Sequence, residues 1–157
     1  MGKFFDLLDA KEIGTHDGRA VWRLNAAMVY EIDPSKMICV PIGFETDFAS
    51  VPRVPLAFWL WGDRAHREAV IHDFLYRKDA YIYDLAENFR TRRYGIPKED
   101  ADWYFREAMM SENPDVQKKA QPYHIYQPMY LAVRACGGSS YHRMNVEDRF
   151  ELDEVGP

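Results

Sequence analysis

The chain has 157 residues, of which 47% are hydrophobic and 15% aromatic, and its formal charge is −5. That composition is enough for one packed core, the length is too short for two, and disorder as the main state is excluded. An acidic chain with a pI near 5.5 also lacks the basic face that a bulk nucleic-acid binder uses to displace counterions, so no nucleic-acid partner is expected.

The first thirteen residues include Lys3, Asp6, Asp9, Lys11 and Glu12, which is not the pattern of a signal peptide. No apolar run approaches the roughly 20 residues of a membrane span, so no transmembrane segment is expected. Cys39 and Cys136 are too few and too far apart for a disulfide framework or a zinc knuckle. Both read as small buried apolar residues.

Residues 20–24 alternate in polarity after the His16-Asp17-Gly18 turn, as a strand does. Residues 28–32 and 37–41 flank Asp33-Pro34-Ser35-Lys36, a turn former, and predict a hairpin. Residues 43–61 resist a regular assignment: Pro41, Pro52 and Pro55 punctuate a stretch rich in Phe and Trp. Such a loop lies across a core and tends to build sites. A helix follows over 63–79, with Asp63 as its cap and Ala65, Ala69, His72 and Tyr76 on one stripe. Residues 80–94 are rich in Tyr and Arg and read as a loop. The basic stretch Arg90, Arg92, Arg93 and Lys98 reads as a solvated surface.

Pro97 opens a second helix, with Glu99, Asp100 and Asp102 suited to its N-terminal dipole, and this helix runs to about residue 110. A third covers 115–134 and is kinked or broken by Pro122 and Pro128. Gly137 and Gly138 end it. The fold class is therefore α+β: a small N-terminal antiparallel sheet packed on two or three helices. Residues 1–138 form the single domain, and 139–157 form an acidic tail that is extended and suited to lie on a partner.

Three segments carry the candidate chemistry. In His72-Asp73-Phe74-Leu75-Tyr76, consecutive helical residues diverge by about 100°, so His72 and Asp73 serve two different directions. Tyr76 lies one turn beyond His72 on the same face. Asp102, on the next helix, offers a carboxylate to orient the imidazole, which is the arrangement of a general base near neutral pH. The same residues also suit a hydrogen-bonded core histidine with Asp102 as its structural partner. In the loop Thr46-Asp47-Phe48-Ala49-Ser50-Val51-Pro52-Arg53, the oxygens of Thr46, Asp47 and Ser50 can ligate a metal, cap the following helix or form an Asx turn. Ser50 lacks the glycine-flanked elbow of an exposed nucleophile. Arg53 suits an ion pair with Asp47 or another carboxylate.

The run from Val40 to Arg53 (VPIGFETDFASVPR) resembles the signature of a phage and prophage family known as domain of unknown function 1353. The blocks His72-Asp73-Phe74-Leu75-Tyr76, Ala101-Asp102-Trp103-Tyr104-Phe105 and Met129-Tyr130-Leu131-Ala132-Val133-Arg134 follow in the same order. This resemblance implies a phage-encoded virion or accessory protein, with the tail as one location and other virion proteins as partners. It also implies synthesis in the host cytoplasm and incorporation in the virion. A second resemblance is to the phospholipases A2, whose helix carries His-Asp with Tyr four residues after the His. That likeness implies a calcium-dependent hydrolase in which His72 activates water, Asp102 and Tyr76 position it, and Asp73 with Asp47 holds a divalent cation. The glycine-rich calcium loop of those enzymes has no counterpart here.

Overall fold

The computed structural model describes residues 2–48, 66–85 and 91–154, the side chains of 91–93 excepted. Its strands are β1 (Lys3–Phe4), β2 (Ala10–His16), β3 (Arg19–Leu24), β4 (Met28–Asp33), β5 (Lys36–Val40), β6 (Glu45–Thr46), β7 (Tyr81–Asp84) and β8 (Thr91–Tyr94). The helices are α1 (His66–Leu75), α2 (Lys98–Met110) and α3 (Tyr123–Cys136). Short 3-10 turns lie at Pro114–Val116 and Gly137–Ser139. All strand pairings are antiparallel, in a five-stranded sheet of order β1-β4-β5-β7-β8 and a three-stranded sheet of order β2-β3-β6. The fold is α+β.

Local chemistry accounts for the two hairpins. Asp17 and Gly18 have φ of 50° and 68°, the paired left-handed conformation of a tight two-residue turn whose twist matches its strands. At the β4–β5 turn the Asp33 carboxylate accepts from Ser35 N at 2.7 Å and from Ser35 Oγ at 2.6 Å, an Asx turn that closes the hairpin between the paired Asp33 and Lys36. Alternation along the strands places Met28, Tyr30, Ile38 and Val40 in the core. There they meet Val70, Ile71, Phe74 and Leu75 of α1. A second cluster, Phe105, Met109, Ile125, Met129 and Val133, joins α2 to α3. Helix α1 is buried on nearly every side from Glu68 to Leu75. His72 and Asp73 are therefore delivered on the most enclosed helix of the fold.

Four local expectations change. Residues 81–84 and 91–94 are strands that extend the sheet from β5, because β7 finds its partners in Lys36 and Met37, a tertiary pairing that short Tyr-rich segments do not announce. The first helix stops at Leu75 rather than near residue 79, where Lys78 N donates to Met144 O (2.8 Å) instead of to the helix ladder. Residues 115–116 belong only to a 3-10 turn, and 117–121 are not helical. Gln117 adopts φ 52°, Asn113 and Lys118 form an isolated bridge, and α3 begins only after Pro122. Cys136 is exposed at the last residue of α3, and Cys39 is half-buried because it alternates with the core-facing Ile38 and Val40. Asp63 falls outside the described residues.

The acidic segment after residue 139 packs back on its own domain. Tyr141 donates its hydroxyl to Ile96 O (2.7 Å), Val146 N donates to Asp79 Oδ1 (2.6 Å), and Phe150 N donates to Glu45 Oε2 (3.0 Å). Asp153 then accepts from the backbone N–H groups of Asp17 and Gly18, at 3.2 Å each. This strap crosses the end of α1 and reaches the β2–β3 hairpin.

Candidate functional site

His72 on α1 and Tyr76, the first residue past its end, lie one helical turn apart and reach the same carboxylate oxygen. His72 Nε2 lies 2.8 Å from Asp102 Oδ1, and the Tyr76 hydroxyl donates to that oxygen at 2.6 Å. The i, i+4 spacing places both on the face that α2 covers. The other oxygen, Oδ2, accepts from Lys98 Nζ at 2.8 Å and faces Arg134 Nη1 at 3.4 Å. His72 and Asp102 are both fully buried. Phe105 holds the imidazole from one side, with ring centroids 4.8 Å apart. Gly137 lets Tyr76 sit close, since a Cβ there would overlap the Tyr76 hydroxyl.

The electrostatics follow from this packing. Burial alone would raise the Asp102 carboxyl, but hydrogen bonds from His72, Lys98 and Tyr76 outweigh it and hold the group at about 2. Burial pushes the His72 imidazole down, and the hydrogen bond and charge of Asp102 offset only part of that. The Tyr76 hydroxyl is pushed up by burial and by Asp102. Near neutral pH the centre is thus a neutral imidazole, an ionised carboxylate and a neutral phenol. A carboxylate accepts only, so Nε2 carries the imidazole proton and Nδ1 carries the lone pair. That Nδ1 is buried and has no hydrogen-bond partner among the described residues.

Asp73 looks the other way. It lines a cleft of about 220 Å³ with Asp47, Tyr76, Arg77, Arg19 and His16, whose opposite wall is Ser140, Arg143, Met144 and Phe150 of the strap. Thr46 Oγ1 donates to Asp73 Oδ2, and Arg19 Nη1 lies 3.9 Å from Asp47 Oδ2. Arg77 is half-committed to the backbone, donating to Glu45 O (2.6 Å) and Asn145 O (3.3 Å). Its guanidinium is pushed down by burial and back up first by the charge of Asp73 and next by that of Asp47.

Of the residues singled out in the sequence, His72, Tyr76 and Asp102 form one contact network, while Asp47, Thr46 and Asp73 meet at the cleft. Ser50 and Arg53 lie outside the described residues. Sequence reading missed Lys98 and Arg134. Lys98, placed there among solvated cations, is a partner of Asp102; its position four residues before Asp102 was the available signal. Arg134 lies 32 residues from Asp102 and carried no such signal. Among the described residues no three His, Cys, Asp or Glu side chains are grouped as for a metal ion. No described helix is long and apolar enough to cross a membrane.

No curated protein and no solved structure matches the chain. The family model described as Protein of unknown function (DUF1353) matches residues 22–133. That span includes His72, Asp73, Tyr76 and Asp102, and the chain belongs to this family.

Proposed function

We propose that the chain is a phage-encoded accessory protein in which His72 is the general base of a hydrolytic site. One observation carries the hydrolytic reading: Asp102 fixes the proton on Nε2 and leaves the basic Nδ1 without a partner among the described residues. A structural histidine satisfies both ring nitrogens, and an unpaired buried one costs about 1–3 kcal/mol. A water at Nδ1 would remove that cost and be the reactive molecule. Nδ1 takes a proton from this water, and the resulting hydroxide adds to an ester carbonyl. The imidazolium, stabilised by Asp102, then gives the proton to the departing alkoxide as its C–O bond breaks. Tyr76, Lys98 and Arg134 keep Asp102 ionised and in place, so they are positioning residues.

The cation expected beside Asp73 would meet Asp73 and Asp47, with the exposed Asp17 as the cleft's third carboxylate, against the 6–8 oxygens calcium takes. Arg19 and Arg77 already balance the charges of Asp47 and Asp73, so no step is routed through a metal. The phage context rests on the ordered sequence blocks, and tail association is part of the same reading.

A second reading is a purely structural network in a virion protein, favoured by the complete burial of His72 and Asp102. Hydrolysis of a p-nitrophenyl ester and of phosphatidylcholine vesicles, with and without calcium, separates the two. The hydrolytic reading expects turnover that His72→Asn lowers by about 100-fold or more. Equal rates in His72→Asn, or no turnover in any arm, would overturn it in favour of the structural one. Virions from a gene deletion and from His72→Ala test the phage role. Particles lost only on deletion mean a structural part, and intact but non-infectious His72→Ala particles mean chemistry.

A further inference from the structure

One wall of the cleft is built by the strap, and the polar side chains it contributes, Ser140 and Arg143, have no hydrogen-bond or ion-pair partner among the described residues. Each carboxylate of the cleft already has company. Asp47 faces Arg19 at 3.9 Å, Asp73 accepts from Thr46 beside Arg77, and the exposed Asp17 lies 3.5 Å from His16 Nε2. Among the cleft's arginines, Arg19 faces that carboxylate and Arg77 is held by two backbone carbonyls. Arg143 lines the same cleft, is exposed, and has neither a carboxylate nor a carbonyl partner among the described residues. Three positions before it, Ser140 presents a hydroxyl that is equally without a side-chain hydrogen bond.

The turn that offers these two groups is fixed. Its backbone is tied to α1 by His142 N donating to Tyr76 O (2.8 Å). The Tyr141 hydroxyl anchors it to Ile96 O (2.7 Å), and the rings of Tyr141 and His142 stack at 3.8 Å. His142 adopts φ 59°, a left-handed conformation that a non-glycine residue holds only when its surroundings impose it. Beside Arg143 the wall turns apolar, with Met144 and Phe150. At about 220 Å³ the cleft lies below the usual range of about 300–1,000 Å³ for drug-sized ligands, so its ligand is small.

We propose that this cleft binds a small organic oxyanion, a carboxylate or phosphate bearing a short apolar group. Arg143 and Ser140 receive the oxyanion, and Met144 and Phe150 cover the apolar part. Guanidinium suits such groups because its N–H donors match two oxygens at once. The cleft lies on the Asp73 side of α1 and its lining does not include His72, so this binding goes beyond the hydrolytic reading and needs no turnover.

Calorimetric titration of the full chain with hexanoate, hexyl phosphate and hexylamine tests it. Binding of either anion but not of the amine is expected, and the better of the two anions identifies the oxyanion. Arg143→Gln weakens that binding by about tenfold, and Ser140→Ala weakens it less. Equal binding by Arg143→Gln, preference for hexylamine, or no binding of either anion would overturn the proposal. Anion binding without ester hydrolysis keeps this inference and removes the hydrolytic one; hydrolysis without anion binding does the reverse.

Discussion

His72 and Asp73 are neighbours in the chain and occupy opposite kinds of environment. The His72 side is dry: two oxygens of one buried carboxylate gather a histidine, a tyrosine, a lysine and an arginine. The Asp73 side is a polar cleft where carboxylates and arginines meet in looser pairs, and where one wall comes from the strap. Electrostatic interactions are strong on the first side because water is excluded, and each missing partner there is correspondingly costly. On the second side, solvent can replace a lost partner. A helix thus separates a centre that sets a protonation state from a surface suited to meeting a ligand.

The sharpest way to break this comparison is Asp102→Ala. It leaves His72, Tyr76 and Lys98 without their shared acceptor, and we expect a stability loss of about 3–5 kcal/mol, read from urea unfolding at pH 7. A loss under 1 kcal/mol would mean the dry side is no stricter than the cleft. Next comes the acid limb of stability. The Asp102 carboxyl is held at about 2 in the folded protein against an ordinary value of 3.8, so its contribution is complete above pH 3.8 and disappears as pH falls toward 2. That contribution is about 2 kcal/mol, and the stability difference between the native chain and Asp102→Asn should shrink over this window. For His72, lowered in the fold by burial from 6.5, stability is complete above pH 6.5 and declines as pH falls below it. His72→Asn removes that slope.

On the cleft side the effects are smaller. Thr46→Val removes the hydroxyl that donates to Asp73 and should cost about 1 kcal/mol in the same assay. Arg143→Gln, at an exposed position without an ion pair among the described residues, should change stability by less than about 0.5 kcal/mol. A large loss there would mean that Arg143 braces the strap rather than facing a ligand.

The two sides also differ in how legible they were. His72 and Tyr76 announce themselves by helical spacing, and Asp102 by its place at the start of a Pro-initiated helix, so most of the dry centre can be read from three short segments. Lys98 follows the same spacing rule but sits beside basic residues that draw it into a surface reading. Arg134 comes from a separate helix whose approach depends on the packing of Val133 and Met129 against Phe105. The outer wall of the cleft was not legible, because it is held by single hydrogen bonds from backbone N–H groups, such as Lys78 N to Met144 O and Phe150 N to Glu45 Oε2. Such bonds leave no periodicity in the sequence. β7 was missed for the same reason: four residues become a strand only because β5 offers an edge. The β4–β5 hairpin was readable because its turn chemistry is local to Asp33 and Ser35.

The central claim is that Asp102 holds His72 as a neutral imidazole with its lone pair on Nδ1. Long-range nitrogen–proton NMR of the full chain at pH 7 measures this directly on the imidazole of His72. The account predicts a protonated Nε2 and an unprotonated Nδ1; a proton on Nδ1 at that pH, alone or together with one on Nε2, would contradict it.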